Sequence, residues 1–246
     1  MILFLVGFVG GFLGSMLGLG GGIIVVPALS ILGFNIKTAV AISIFSTIAV
    51  WSSASEKYIR SDLVDFKMAV FLGSATTLGA ILGSRSLLYL PEKVIVLIFV
   101  PIALLVIYSN SVGYKKVGPS KSVITFRRLL FSYIFMVLSG FVSAIMGIGA
   151  GIFKVFAMDR ILNMPYKVST ATSVFLIGIT TSSSALYYLK SLSFDPSFAS
   201  FVSFGSLIGG FLGSRVMILL PERVLRFMFS FVVSLLVISL LIKTFK

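Results

Sequence analysis

The chain has 246 residues, 58% of them hydrophobic and only 11% charged, against about 25% charged in soluble domains. It has no Cys and no His, which removes disulfides, thiol chemistry, most transition-metal sites and the ordinary proton switch near neutral pH. The net charge of +13 comes without a basic aromatic patch, so it argues against a nucleic-acid partner. It assigns Lys and Arg instead to helix ends that meet anionic headgroups.

In chain order the apolar candidates are Ile2–Leu32, Thr38–Ser55, Phe66–Leu90, Val94–Tyr108, Arg128–Leu162, Val168–Leu189, Phe198–Leu220 and Val224–Ile242. Their lengths predict an all-α integral membrane protein of about eight transmembrane helices, multi-pass in a cell membrane with the lipid bilayer as its solvent. The first stretch lacks a basic n-region and runs straight into the next, so it reads as a membrane element rather than a cleaved signal peptide. The first and fifth stretches exceed thirty residues. At about 1.5 Å per residue, such a helix overruns a hydrocarbon core of about 30 Å. Both contain a glycine cluster, and each is predicted to be a broken helix.

The coincidence belongs to an internal repeat. GFLGSMLGLGGGI from Gly11 aligns with GFVSAIMGIGAGI from Gly140, and GAILGSRSLLYLPEKV from Gly79 with GGFLGSRVMILLPERV from Gly209. The offset is 129 residues early and 130 later, with one residue inserted near Asn163. The expected organisation is a first membrane repeat over 1–109, a polar basic linker over 110–127 and a second repeat over 128–246. Each repeat is a four-helix unit with a glycine-broken first helix. Lys37 matches Lys167, Arg85 matches Arg215 and Lys93 matches Arg223; equal loop charge favours parallel halves under the positive-inside rule. The linker, with Lys115, Lys116, Lys121 and Arg127, is expected to be cytoplasmic.

Several features can carry chemistry. Gly79, Gly83, Gly209 and Gly213 lie at small-xxx-small spacing, which suits helix packing. The denser clusters Gly18, Gly20, Gly21, Gly22 and Gly147, Gly149, Gly151 admit two readings, a structural kink or unwound backbone lining a substrate path. Arg85 and Arg215 are either snorkelling anchors or a pseudo-symmetric cation pair for an anionic substrate. Lys154 breaks an apolar stretch where the first repeat has Val25. It either reaches an interface, as neighbouring Asp159 and Arg160 suggest, or sits beside an anion pocket. Among many hydroxyls able to bond their own helix, Ser43 and Ser173 are aligned by the repeat, with Thr47 and Thr172 close by. Without a His base, a Cys nucleophile, clustered acids or a phosphate-cradling loop, the chain does not read as an enzyme, and no cofactor is called for.

The run Gly18-Leu19-Gly20-Gly21-Gly22 through Pro27, spaced G-x-G-G-G-x-x-x-x-P, resembles the sulfite exporter TauE/SafE family of membrane permeases. The second copy, Gly147-Ile148-Gly149-Ala150-Gly151, resembles it too, as do Ala171-Thr172-Ser173 and YIRSDLVD over Tyr58 to Asp65. The resemblance covers nearly the whole chain and implies transport of sulfur-containing or small organic anions, usually as export. Ala150, Lys154, Phe156 and Ile42 depart from the pattern, so the halves have diverged. The reading is a secondary transporter, an exporter of small anions such as sulfite or organosulfonates, with the site between the repeats. A passive anion channel and a non-transporting membrane scaffold are the alternatives. The sequence names neither a coupling ion nor an oligomeric state; a proton relay would need Glu56, Asp159 or another acid at an unexpected depth.

Overall fold

In a computed structural model of the chain, residues 1–86, 100–101, 104, 107–108, 125–191 and 195–245 are described. Nine helices lie wholly among these residues: α1 (Ile2–Leu17), α2 (Gly22–Ile31), α3 (Ile36–Arg60), α4 (Phe66–Ser86), α5 (Phe126–Met146), α6 (Gly151–Phe156), α7 (Tyr166–Ser191), α8 (Pro196–Leu219) and α9 (Glu222–Phe245); residues 100–101, 104 and 107–108 are helical too. A π-helical turn, Ala157–Ile161, continues α6. Among the described residues, α3, α4, α5 and α8 are long and apolar enough to cross a membrane. Most of the expected span Val94–Tyr108 and nearly all of the linker 110–127 lie outside the described residues. Phe126 and Arg127, read as linker, form the first turn of α5.

Both over-long stretches are broken, as their length predicts. α1 ends at Gly18 and α5 at Gly147, each in the left-handed conformation that closes a helix. The chain then turns back instead of continuing. A Cβ on Gly14 would lie 2.6 Å from the Gly20 carbonyl carbon, and one on Gly10 3.0 Å from the Gly21 oxygen. In the second hairpin Ser139 donates to the Ala150 carbonyl at 3.4 Å. α2 and α6 are too short to span a bilayer; each is a return arm laid along the helix before it.

Three of the long helices, α3, α4 and α8, begin where a side chain caps them. Asn35 accepts from the Lys37 N–H, Asp65 from Met68 and Asp195 from Ser197. α8 lies along α1, and α4 along α5, with backbones nearly touching. A Cβ on Gly209 would come within 2.1 Å of the Phe8 oxygen, and one on Gly79 within 1.9 Å of the Val137 oxygen. Only glycine permits that approach. The contacts advance together along each pair (Gly7 at Val202 and Gly11 at Ser206; Gly79 at Val137 and Gly83 at Phe141), so both pairs run parallel.

α3 and α7 occupy the centre and run the opposite way to each other. Val40 and Ile44 cluster with Ala185 and Tyr188 at one end. Trp51 covers Gly178 midway, and Ala54 and Tyr58 share a cluster with Ala171 and Val174 at the other. These two helices match at the 130-residue offset, so their antiparallel course departs from the expectation of parallel halves.

Candidate functional site

The site grows from the two unwound turns. Gly18, Gly20, Gly147 and Gly149 all have positive φ, which strips the adjacent carbonyls of helical partners. The turns are buried, so those groups need a donor. Ser173 on α7 donates to the Gly18 carbonyl at 2.9 Å, and Ser43 on α3 donates to the Gly147 carbonyl. Each turn is thus capped by a serine from the other half of the sequence.

The turns abut. A Cβ on Gly22 would fall 2.1 Å from the Gly147 oxygen, and one on Gly151 1.9 Å from the Gly18 oxygen. These two positions are glycine because the opposite turn's carbonyl occupies the space of a side chain. Gly20 faces the Thr47 methyl and the Ile148 carbonyl, Gly149 faces Ile177, and Gly21 lies near Val50 and Ser46. Thr47 itself bonds back to the Ser43 carbonyl at 2.8 Å. The tyrosines Tyr58 and Tyr188, a pair the sequence reading passed over, donate to the Ser15 and Ala144 carbonyls, both at 2.7 Å.

Lys154 on α6 is fully buried, and its Nζ lies 2.9 Å from the Thr180 hydroxyl of α7. Thr180 bonds back to the Leu176 carbonyl at 2.7 Å, and its oxygen lies 3.1 Å from that of Thr76 on α4. Thr76 is at the midpoint of α4, and Thr180 near the middle of α7. The lysine therefore belongs to the interior and does not reach an interface. Thr172 accepts the Asp65 N–H at 3.1 Å, tying α7 to the start of α4.

Gly18, Gly20, Gly21, Gly22, Gly147, Gly149, Gly151, Ser43, Thr47 and Ser173 are thus gathered at one place, with Lys154 and Thr172 at its flank. Arg85 and Arg215 stand apart. Arg85 is exposed in the last turn of α4. Arg215 folds onto its own helix, donating to the Phe211 carbonyl at 2.8 Å with its guanidinium 3.3 Å from the Phe211 ring centroid.

A second polar cluster was not foreseen. Arg226 of α9 grips Asp159 with two hydrogen bonds of 2.7 and 2.6 Å, and Arg160 joins at 3.2 Å. The Arg226 guanidinium covers the Tyr166 ring at 4.2 Å, while Glu222 accepts the Tyr166 N–H at 3.0 Å. At the repeat offset Asp159 faces Ser30 and Arg226 faces Val96, so the repeat offers no signal for this pair.

The profile of a family described as "Sulfite exporter TauE/SafE" matches residues 3–240. A protein of Bacillus subtilis (strain 168) described as "Probable membrane transporter protein YunE" is 28% identical over 243 residues, covering 88% of each chain. No solved structure matches.

Proposed function

We propose that this chain, which belongs to the sulfite exporter TauE/SafE family, carries a small anion such as sulfite or an organosulfonate out of the cell by alternating access. Family membership and the Bacillus subtilis relative support a membrane transporter. The observation that carries the finer reading is the pair of abutting turns, each capped by a serine of the opposite half. Breaking one capped contact while keeping the other opens the centre to one side only. A fixed pore needs no such reciprocal pair.

The two repeats are inverted in this reading. Helices matched by the repeat run antiparallel if the halves are related by an axis in the membrane plane, and parallel if the axis lies along its normal. α3 and α7 support the first case. The expectation of parallel halves counted each glycine-broken stretch as one crossing. With a return arm, each such stretch reverses direction once more, and an even count becomes odd. The substrate path then lies between the halves, flanked by Ser43, Thr47, Thr172 and Ser173. Lys154 flanks that path as a group able to pair with the anion, and the basic linker faces the cytoplasm.

The test is flux in proteoliposomes across sulfite, sulfate, thiosulfate and sulfonates. Saturable counterflow of at least one anion is expected, and Gly20→Leu and Gly149→Leu should each abolish it while the protein remains inserted. Current without exchange would replace the carrier by a channel. Movement of none of these anions would overturn the reading.

A further inference from the structure

A lysine fully buried beside the middles of α4 and α7 needs an explanation of its own, because in the other half valine fills the matching buried position. We infer that Lys154 is the coupling group of the carrier: it takes up one proton when a monovalent sulfonate-type anion binds beside it and gives that proton up when the anion leaves. This rests on the anion-carrier reading above.

The first argument is donor accounting. An ammonium has three N–H donors and no acceptor. Among the described residues Nζ has one polar partner, the Thr180 oxygen, which is already engaged with Leu176 and lies next to Thr76. Its other two donors have no protein partner among the described residues, and a buried charged group without partners is costly. A neutral amine facing a hydroxyl is satisfied there; an ammonium is satisfied only when an anion fills the space beside it.

The second argument is the lack of a resident counter-charge. The charged groups on the surrounding helices stand at their ends: Lys67 and Arg85 on α4, Arg127 and Arg128 on α5, Lys167 on α7. Asp159, the nearest acid along the chain, is held by Arg226 and Arg160. The tyrosines Tyr58 and Tyr188 spend their hydroxyls on backbone carbonyls. No described carboxylate forms an ion pair with Lys154, so the counter-charge of its ammonium form is assigned to the anion.

The cycle balances. Free amine, proton and monoanion combine on one side into an ion pair of zero net charge, which is the form able to cross a low-dielectric interior. On the other side all three separate, and the lysine returns as the amine. One proton accompanies one anion, and no net charge moves.

The experiment uses the full chain in proteoliposomes with radiolabelled methanesulfonate, a permanent monoanion that cannot itself carry the proton. A gradient of one pH unit should accumulate it about tenfold on the alkaline side, the side toward which the co-moving protons run, and a valinomycin-set potential should leave the plateau unchanged. Lys154→Met should lose this accumulation. Lys154→Arg, which keeps its proton, should retain counterflow but lose net uptake. In weakly buffered detergent, binding should take up about one proton per anion in the native protein and none in Lys154→Arg. Failure of the native protein to exchange methanesulfonate at all would overturn the carrier reading and this inference with it. Exchange that ignores the pH gradient, or proton uptake unchanged in Lys154→Arg, would overturn the coupling role alone.

Discussion

The Asp159–Arg226 pair makes a quantitative prediction. Asp159 is 5% exposed and the Arg226 side chain 12%, and two bonds of 2.7 and 2.6 Å join them. Removing one member of a buried bidentate pair leaves the other charge uncompensated, at a cost of about 3–5 kcal/mol. Asp159→Asn strands Arg226 beneath Tyr166 and also deprives Arg160 of its 3.2 Å contact. Taking the low end, about 3 kcal/mol, the apparent melting temperature in detergent should fall by roughly 6–12 °C for a chain of this size. Arg226→Met should do the same. The double variant Asp159→Leu/Arg226→Met, which leaves no charge behind between these two positions, should be less damaged than the sum of its parts by more than about 2 kcal/mol. Thermal denaturation followed by the single Trp51 suffices. Single variants within about 1 kcal/mol of the native protein, with an additive double, would refute a desolvated clamp between the π turn and α9.

Three further outcomes are expected. Because the chain has no cysteine, Lys67→Cys and Ser197→Cys, matched by the repeat at the exposed starts of α4 and α8, report sidedness directly. They should react with an impermeant maleimide from opposite sides of the membrane, whereas labelling from the same side would exclude inverted halves. Ala150 has φ 46°, a conformation that a non-glycine residue holds at about 1–2 kcal/mol; Ala150→Gly should raise thermal stability by about 1 kcal/mol, and a neutral or lower value would count against strain at this turn. The Ser197 N–H bonded to Asp195 lowers that carboxyl's pKa below its ordinary value. Folding therefore favours the ionised form, and its contribution is present above the ordinary carboxylate range and fades as pH falls through the lowered value. Asp195→Asn keeps the cap and should flatten that acid dependence in a pH series of melts, which an unchanged slope would contradict.

Much of the centre was legible because it follows from length and duplication. A stretch of more than thirty apolar residues cannot be one crossing, so the breaks at Gly18 and Gly147 had to exist. The repeat singled out Ser43 and Ser173 from a chain crowded with hydroxyls, although their bonds go to backbone carbonyls of the opposite turn. Tyr58 and Tyr188 were open to the same logic. The course of the halves was not legible, since a return arm and a crossing have the same composition, and matched Lys and Arg positions do not record the difference. Thr76 carried no signal, because a hydroxyl that bonds its own helix at Gly73 resembles any other. Arg226 could not be found by duplication, as its match is Val96.

Where the halves differ, the differences concentrate on one return arm. Gly21 becomes Ala150, Val25 becomes Lys154, Pro27 becomes Phe156 and Ser30 becomes Asp159, all within ten residues. The backbone follows: Gly21 keeps helical angles at the start of α2, while Ala150 is left-handed. α2 carries a proline, and α6 instead widens into a π turn clamped by Arg226. Two identical inverted halves would give inward- and outward-facing states of equal energy, since one state is the other turned over. Every difference between the arms lifts that degeneracy, and each 1.4 kcal/mol is a tenfold preference. Strain at Ala150 and the clamp at Asp159 bias the two states by whatever part of their energy changes between them. They act on the arm that bears the buried lysine. In the carrier reading proposed above, the second return arm is where charge selectivity and bias between the two faces of the membrane would arise.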